Sequence, residues 1–151
     1  MNSNKGRVAE PAPGSPAEGV PVMFMLMHAG RALEDKLEAA LAGVGLSLAK
    51  QSVLTRLVNA GAPLSLGELA AQQSCVRSNM TQLVDRLEAD GLVKRIDDPD
   101  DRRSVRAALT REGEARQASG AEQIARVQTA FTASLPKSER QALAKLLASL
   151  E

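Results

Sequence analysis

At 151 residues, 44% of them hydrophobic and only 1% aromatic, the chain has apolar material for one core. That core must be built from Leu, Val, Ala and Met, which favours helices over a β-sandwich. Lys and Arg number 19 against 18 acids, so a broad basic field is excluded and any nucleic-acid contact must come from where particular arginines sit.

Residues 1–19 carry three prolines, three glycines and almost no large apolar side chains, and are expected to be a disordered tail. From Pro21 the segment PVMFMLMHAGRALEDKLEAALAGVG reads as a long helix ending at Gly43 or Gly45. Met23, Met27, Gly30, Leu33, Leu37 and Leu41 form one stripe, and Phe24, Met25 and Leu26 widen it at the start. A helix that begins apolar nearly all round calls for burial against more than its own domain. The longest apolar run, near Val20 to Met27, falls far short of the ~20 residues a membrane span needs. The single cysteine, Cys75, cannot form an internal disulfide, and no cleavable signal segment is recognised, so a cytoplasmic chain is expected.

Ser47 to Asn59 predicts the next helix, with Leu48, Val53, Leu54, Leu57 and Val58 inward and Gly61 ending it. Ser65-Leu66-Gly67-Glu68 is a capping box, in which the serine oxygen and the glutamate carboxylate each satisfy an orphan backbone donor at a helix start. The short helix that follows ends near Gln73, leaving a turn of about three residues before a second helix, about Val76 to Asp90. Val76, Met80, Leu83, Val84 and Leu87 share one face of it, which belongs in a core. At 100° per residue Ser78, Thr81, Gln82 and Asp85 point away, flanked by Arg77, Asn79 and Arg86. Such a face has donors and acceptors that match base edges in a DNA major groove, although any solvated amphipathic helix looks similar.

Gly91 is the expected helix-ending residue. Leu92 to Ile96 and Val105 to Leu109 then read as two strands around the turn-rich run from Asp97 to Arg103. A two-stranded wing follows. Its tip offers Arg102 and Arg103 to a minor groove or to phosphates, with Asp101 placed to orient one guanidinium. Beyond it Thr110 is a good N-cap, and the chain to about Ser134 is helix-compatible despite Gly113 and Gly120. Leu135-Pro136 breaks that helix, and a last amphipathic helix from about Lys137 to Leu150 carries Leu143, Leu146, Leu147 and Leu150 on one face.

Three pieces of the central run together resemble the multiple antibiotic resistance regulator (MarR) family: LSLGELA, TQLVDRLEADGLVKR, and the wing pattern Asp101-x-Arg103 followed six residues later by Leu109-Thr110. The similarity continues, less specifically, from about Val22 to the C-terminus. It implies a bacterial dimeric transcription regulator, usually a repressor released by a small ligand or by oxidation, whose first helix helps to form the dimer and roofs a ligand pocket. By the same resemblance the terminal helices interlock with those of a second subunit; from the pattern alone they pack equally well within one chain. The sequence departs from its relatives at Ser52, where the family commonly places a large aromatic residue, so a wider or more polar cavity is expected there.

Other chemistry is sparse. His28, the only histidine, and Arg31 one turn later are candidates for binding an acidic ligand, against the commoner roles of an interfacial histidine and an exposed arginine. Cys75 precedes the reading helix, where a helix N-terminus and Arg77 favour thiolate; a lone cysteine is more often a small buried apolar residue. No HExxH, Gly-rich phosphate loop or CxxC pair is present, and the wing aspartates lack the glycine and distal glutamate of an EF-hand, so neither an enzyme, a cofactor nor a metal is expected.

The sequence therefore predicts a mainly α, winged helix-turn-helix chain, with the DNA-binding lobe at 46–109 and a helical dimerisation lobe from 20–45 and 110–151. Its expected partner is a pseudo-palindromic double-stranded operator, bound by a homodimer. Ser78, Asn79, Thr81 and Gln82 face bases, Arg77 and Arg86 contact phosphates or guanine edges, and Arg102 and Arg103 act at the wing. The alternatives are a thiol switch through Cys75, a winged-helix protein-interaction module without DNA and, last, an enzyme using His28.

Overall fold

The computed structural model describes residues 21–72, 77–101 and 103–150, with the side chains of Gln72, Arg77 and Ser78 outside that description. The tail at 1–19, Cys75, Val76 and Arg102 therefore lie outside the described residues. Six helices and three short strands follow in the order α1 (Val22–Ala42), α2 (Leu48–Ala60), β1 (Leu64–Ser65), α3 (Leu66–Gln72), α4 (Arg77–Ala89), β2 (Val93–Asp97), β3 (Val105–Leu109), α5 (Arg111–Ala133) and α6 (Lys137–Ala148). The chain divides into two compact units, Met1–Leu33 and Glu34–Glu151. In the first, the described part of α1 is open, with Val22, Met23, Phe24 and Met27 all more than half exposed.

In the second unit local side-chain chemistry sets most boundaries. Ser47 Oγ accepts from the Lys50 backbone N–H at 3.2 Å to start α2, and Gly61, at φ 61°, ends it. The capping box forms as expected: the Ser65 N–H donates to Glu68 Oε2 (2.7 Å) and the Glu68 N–H donates to Ser65 Oγ (3.2 Å). At the end of α4, Leu92 N–H reaches the Leu87 carbonyl (2.9 Å) while Gly91 takes φ 74°. This is a Schellman cap, and it turns the chain directly into β2.

The strands form one antiparallel sheet in the order β1-β3-β2, with Val93 opposite Leu109 and Asp97 opposite Val105. The wing hairpin is joined on its other edge by a third strand absent from the sequence reading, Leu64–Ser65, paired with Ala107 and Arg106. The core beneath gathers Leu41, Val53, Leu54, Leu69, Met80, Val84, Leu87 and Leu92, each fully buried. Burying side chains of this size stabilises the fold by roughly 1.5–3 kcal/mol apiece. Val58, expected inward, is instead 40% exposed: it lies two residues before the end of α2, where Leu57 and not Val58 faces the core.

Two glycines let α5 approach closely. A Cβ on Gly113 would lie 2.0 Å from the Leu92 carbonyl oxygen, and one on Gly120 would lie 2.2 Å from Gln51 Oε1. Both positions are buried. Close packing thus explains the glycines that interrupt the helical pattern. On α6 the apolar face remains open in the single chain: Leu146 is 64%, Leu147 41% and Leu150 beyond it 70% exposed.

Candidate nucleic-acid interface

Helix α4 is anchored by Met80, Val84 and Leu87, all fully buried, so its opposite face is fixed in direction. Asn79, Thr81, Gln82, Asp85 and Arg86 are exposed on it. Arg77 and Ser78 occupy its first turn. The structure therefore brings the base-facing candidates into one helical element, as the 100° spacing predicts.

One connection escaped the sequence reading. Arg95 of β2 reaches back to α4, its guanidinium pairing with Asp85 Oδ1 (2.6 Å) and Glu88 Oε2 (2.7 Å). Its backbone N–H donates to Glu88 Oε1 (2.9 Å), and its guanidinium also lies 3.5 Å from the Thr81 carbonyl. The Arg95 backbone N–H first, and then its guanidinium, hold the Glu88 carboxyl below its ordinary range. The two acids of α4 nearest the outward face are thus neutralised from within, and helix and wing strand are tied together. Strand alternation was the available signal: with period 2, adjacent Lys94 and Arg95 must face opposite sides, and only Lys94 is exposed.

The wing has a similar internal staple. Asp98 is only 7% exposed and accepts from Arg106 Nε at 2.7 Å and from the Asp100 backbone N–H at 3.0 Å. That Asp100 contact, opposed by partial burial and helped by Arg106, holds the Asp98 carboxyl below its usual range. Arg106 also donates to the Pro63 carbonyl (3.3 Å) and lies 3.8 Å from Glu68 Oε2. Arg106 is therefore part of the scaffold. Asp101, expected to orient a guanidinium, has a different described contact: its Oδ1 accepts from the Arg103 backbone N–H at 2.9 Å, shaping the tip. The Arg103 side chain is exposed there.

Among the described residues the basic groups that stand outside such pairs are consequently few. Of the seven between Val76 and Arg106, Arg95 and Arg106 serve internal pairs, while Arg86, Lys94 and Arg103 are exposed and stand outside them. Lys94 is not among the candidates named from sequence. A near-neutral lobe thus presents isolated cations beside a polar helix face, a geometry suited to a few phosphate contacts and base-edge hydrogen bonds.

The candidate effector residues fall in both compact units. Ser52 is half-buried and lines a cavity of about 340 Å³ with Leu48, Gln51, Thr55, Arg56, Asn59 and Ile124. His28 and Arg31 are exposed on α1 in the other compact unit. Beside Ser52 the buried residue is Gln51, which donates to the Gln117 carbonyl (3.1 Å) and packs against Gly120. Among the described residues no cluster of His, Cys, Asp or Glu suits a metal ion, and no helix is long and apolar enough to cross a membrane.

Comparisons with known proteins agree with this architecture. The MarR family model matches residues 46–105. The chain is 32% identical over 102 residues to the HTH-type transcriptional regulator PrsX of Escherichia coli, covering 67% of this chain and 61% of that protein's length. It is also 32% identical over 99 residues to the HTH-type transcriptional repressor Rv2887 of Mycobacterium tuberculosis, covering 66% of this chain and 70% of that one. Among solved structures, CouR from Rhodococcus jostii RHA1, bound to p-coumaroyl-CoA, superposes with a TM-score of 0.71 at 26% identity, over 90% of this chain and 95% of that one. The chain belongs to the MarR family of helix-turn-helix transcription regulators.

Proposed function

We propose that the chain acts in the cytoplasm as a homodimeric repressor that reads a pseudo-palindromic operator. The observation that carries this reading is the exposed face of α4, held by a buried opposite face and flanked by a hairpin with Arg103 at its tip. Each α4 enters a major groove, with Ser78, Asn79, Thr81 and Gln82 toward bases and Arg77 and Arg86 on phosphates or guanine edges. Each wing sets Arg102 and Arg103 against the flanking minor groove or backbone, oriented by the Asp101 turn, with half-sites about one helical turn apart. Two exposed apolar surfaces, at the start of α1 and along α6, supply the dimer contacts.

Release by a small molecule is the regulatory half of the proposal. It is supported by the cavity at Ser52 and by the ligand-bound state of the related CouR structure. His28 and Arg31 are assigned to the same effector response, as groups able to meet an acidic ligand. The test is binding of purified protein to its own upstream DNA by fluorescence anisotropy, over a salt series and against scrambled competitor. Specific retention with a steep salt slope is expected. Equal binding to scrambled DNA, or none, overturns the operator reading.

A further inference from the structure

A second cavity, of about 380 Å³, opens between the end of α2, the end of β3 and the first turns of α5. That volume is within the range of small-molecule sites. Most of its lining side chains are apolar, Leu57 and Val58 from α2, Pro63 after it, and Ala108 and Leu109 from β3, although polar atoms also face the cavity. The one charged group lining it is Glu114, on the first turns of α5. Gln117 lies one turn further along, its amide already donating to Thr55 Oγ1 at 3.3 Å.

Two features separate this cavity from ordinary surface roughness. Val58 stands 40% exposed on its wall although it belongs to a helix whose neighbours Leu54 and Leu57 are buried. Glu114 is exposed and, among the described residues, enters none of the ion pairs that engage Asp85, Glu88, Asp90, Asp98 and Glu112. Its neighbour one half-turn earlier, Glu112, is held by Arg116, which also donates to the Val44 carbonyl at 3.2 Å. Of the two basic side chains on this part of α5, Arg116 is therefore engaged elsewhere, and Arg111 at the first position is exposed and forms none of these ion pairs with Glu114. An apolar pocket with one unmatched carboxylate at its edge selects a ligand that is apolar in body and positively charged at one end.

We propose that this cavity is a binding site for a small hydrophobic cation, such as a protonated amine on an aliphatic or aromatic body, with Glu114 as counter-charge. The site is separate from the Ser52 cavity, with which it shares no lining residue. A bound ligand touches Ala108 and Leu109, the residues of β3 paired with Lys94 and Val93 of β2, and so braces the base of the wing.

The test uses n-hexylammonium as probe on the full chain, with hexanoate and 1-hexanol as controls, followed by calorimetry or by NMR shifts of the Ala108 and Leu109 amides. No DNA is involved, so the outcome does not depend on the operator reading. Saturable hexylammonium binding is expected, with hexanoate much weaker. Glu114→Gln weakens hexylammonium about fivefold, as removal of a partly solvated ion pair does, while leaving 1-hexanol unchanged. Ala62→Trp, at an exposed position lining the cavity, abolishes binding of all three. Both variants change exposed residues, and circular dichroism checks that they are folded. No saturable binding, equal affinity for hexanoate, or undiminished hexylammonium binding in either variant overturns the proposal.

Discussion

The Arg95 guanidinium ties the reading helix to the wing, and its removal is expected to separate stability from DNA binding. The ion pairs with Asp85 and Glu88 are partly exposed, with 56% and 39% of those side chains open, so Arg95→Ala should cost only about 1 kcal/mol of stability. Operator affinity should fall at least tenfold, because α4 and the hairpin lose their common reference. Arg95→Lys keeps the charge but not the planar fork and should lie between. Urea unfolding beside anisotropy decides this: affinity unchanged under conditions where Arg95→Ala is folded would deny the residue a positioning role. Contact residues should split by type. Gln82→Ala is expected to cost ~1–3 kcal/mol and relax specificity at one base pair, whereas Arg103→Ala weakens all sequences alike and lowers the salt slope by about one. The outward face of α4 was legible because helical spacing alone fixes it. Arg95 was legible only in part: strand alternation sets it on the side opposite Lys94, but the acids that bind it lie seven and ten residues back, across a turn, and alternation does not name them.

At the scale of elements, the wing and the α3 start are closed by carboxylates, and the sign of their pH dependence follows. Asp98 is held below its ordinary range chiefly by the Asp100 N–H, Glu88 by the Arg95 N–H, and Glu68 by the Ser65 N–H and then the Ser65 side chain. A folded-state pKa below the unfolded value adds stability that is fully present above the unfolded value, about 4, and disappears as pH falls through the folded one. Thermal unfolding should therefore be insensitive to these groups at neutral pH and steepen below about pH 4. Asp98→Asn should flatten that acid limb; an unchanged limb would remove Asp98 from the account. The two glycines of α5 offer a comparison of packing. Gly113→Ala drives a Cβ into a backbone carbonyl that cannot step aside, and should cost about 3 kcal/mol or more. Gly120→Ala meets the end of the Gln51 side chain, which can turn away, and should cost less. Equal losses in urea unfolding would contradict this difference. Helix boundaries were legible within a residue or two because caps are local chemistry; β1, two residues long and paired across more than forty, left no such mark.

At the scale of the molecule, large apolar side chains remain uncovered: Val22, Met23, Phe24 and Met27 at one end of the chain, Leu146, Leu147 and Leu150 at the other. The amphipathic pattern of α6 showed that its leucines need a partner surface, but a stripe of leucines does not encode which chain supplies it. The proposed homodimer makes the melting temperature rise with protein concentration. Leu146→Glu with Leu150→Glu should yield a monomer by sedimentation while the buried core around Met80 and Leu92 stays folded. A wild-type chain that sediments as a monomer at micromolar concentration would contradict the assembly. The bare contact between Gly113 and the Leu92 carbonyl has one more consequence. Helix α5 is a rod of 23 residues, about 34 Å long, and near its start its backbone at Gly113 comes against the Leu92 carbonyl, just before β2, and the Leu109 side chain of β3. So close a joint should act as a splint and not as a spring, and a tilt imposed far along the rod is expected to reach the base of the hairpin.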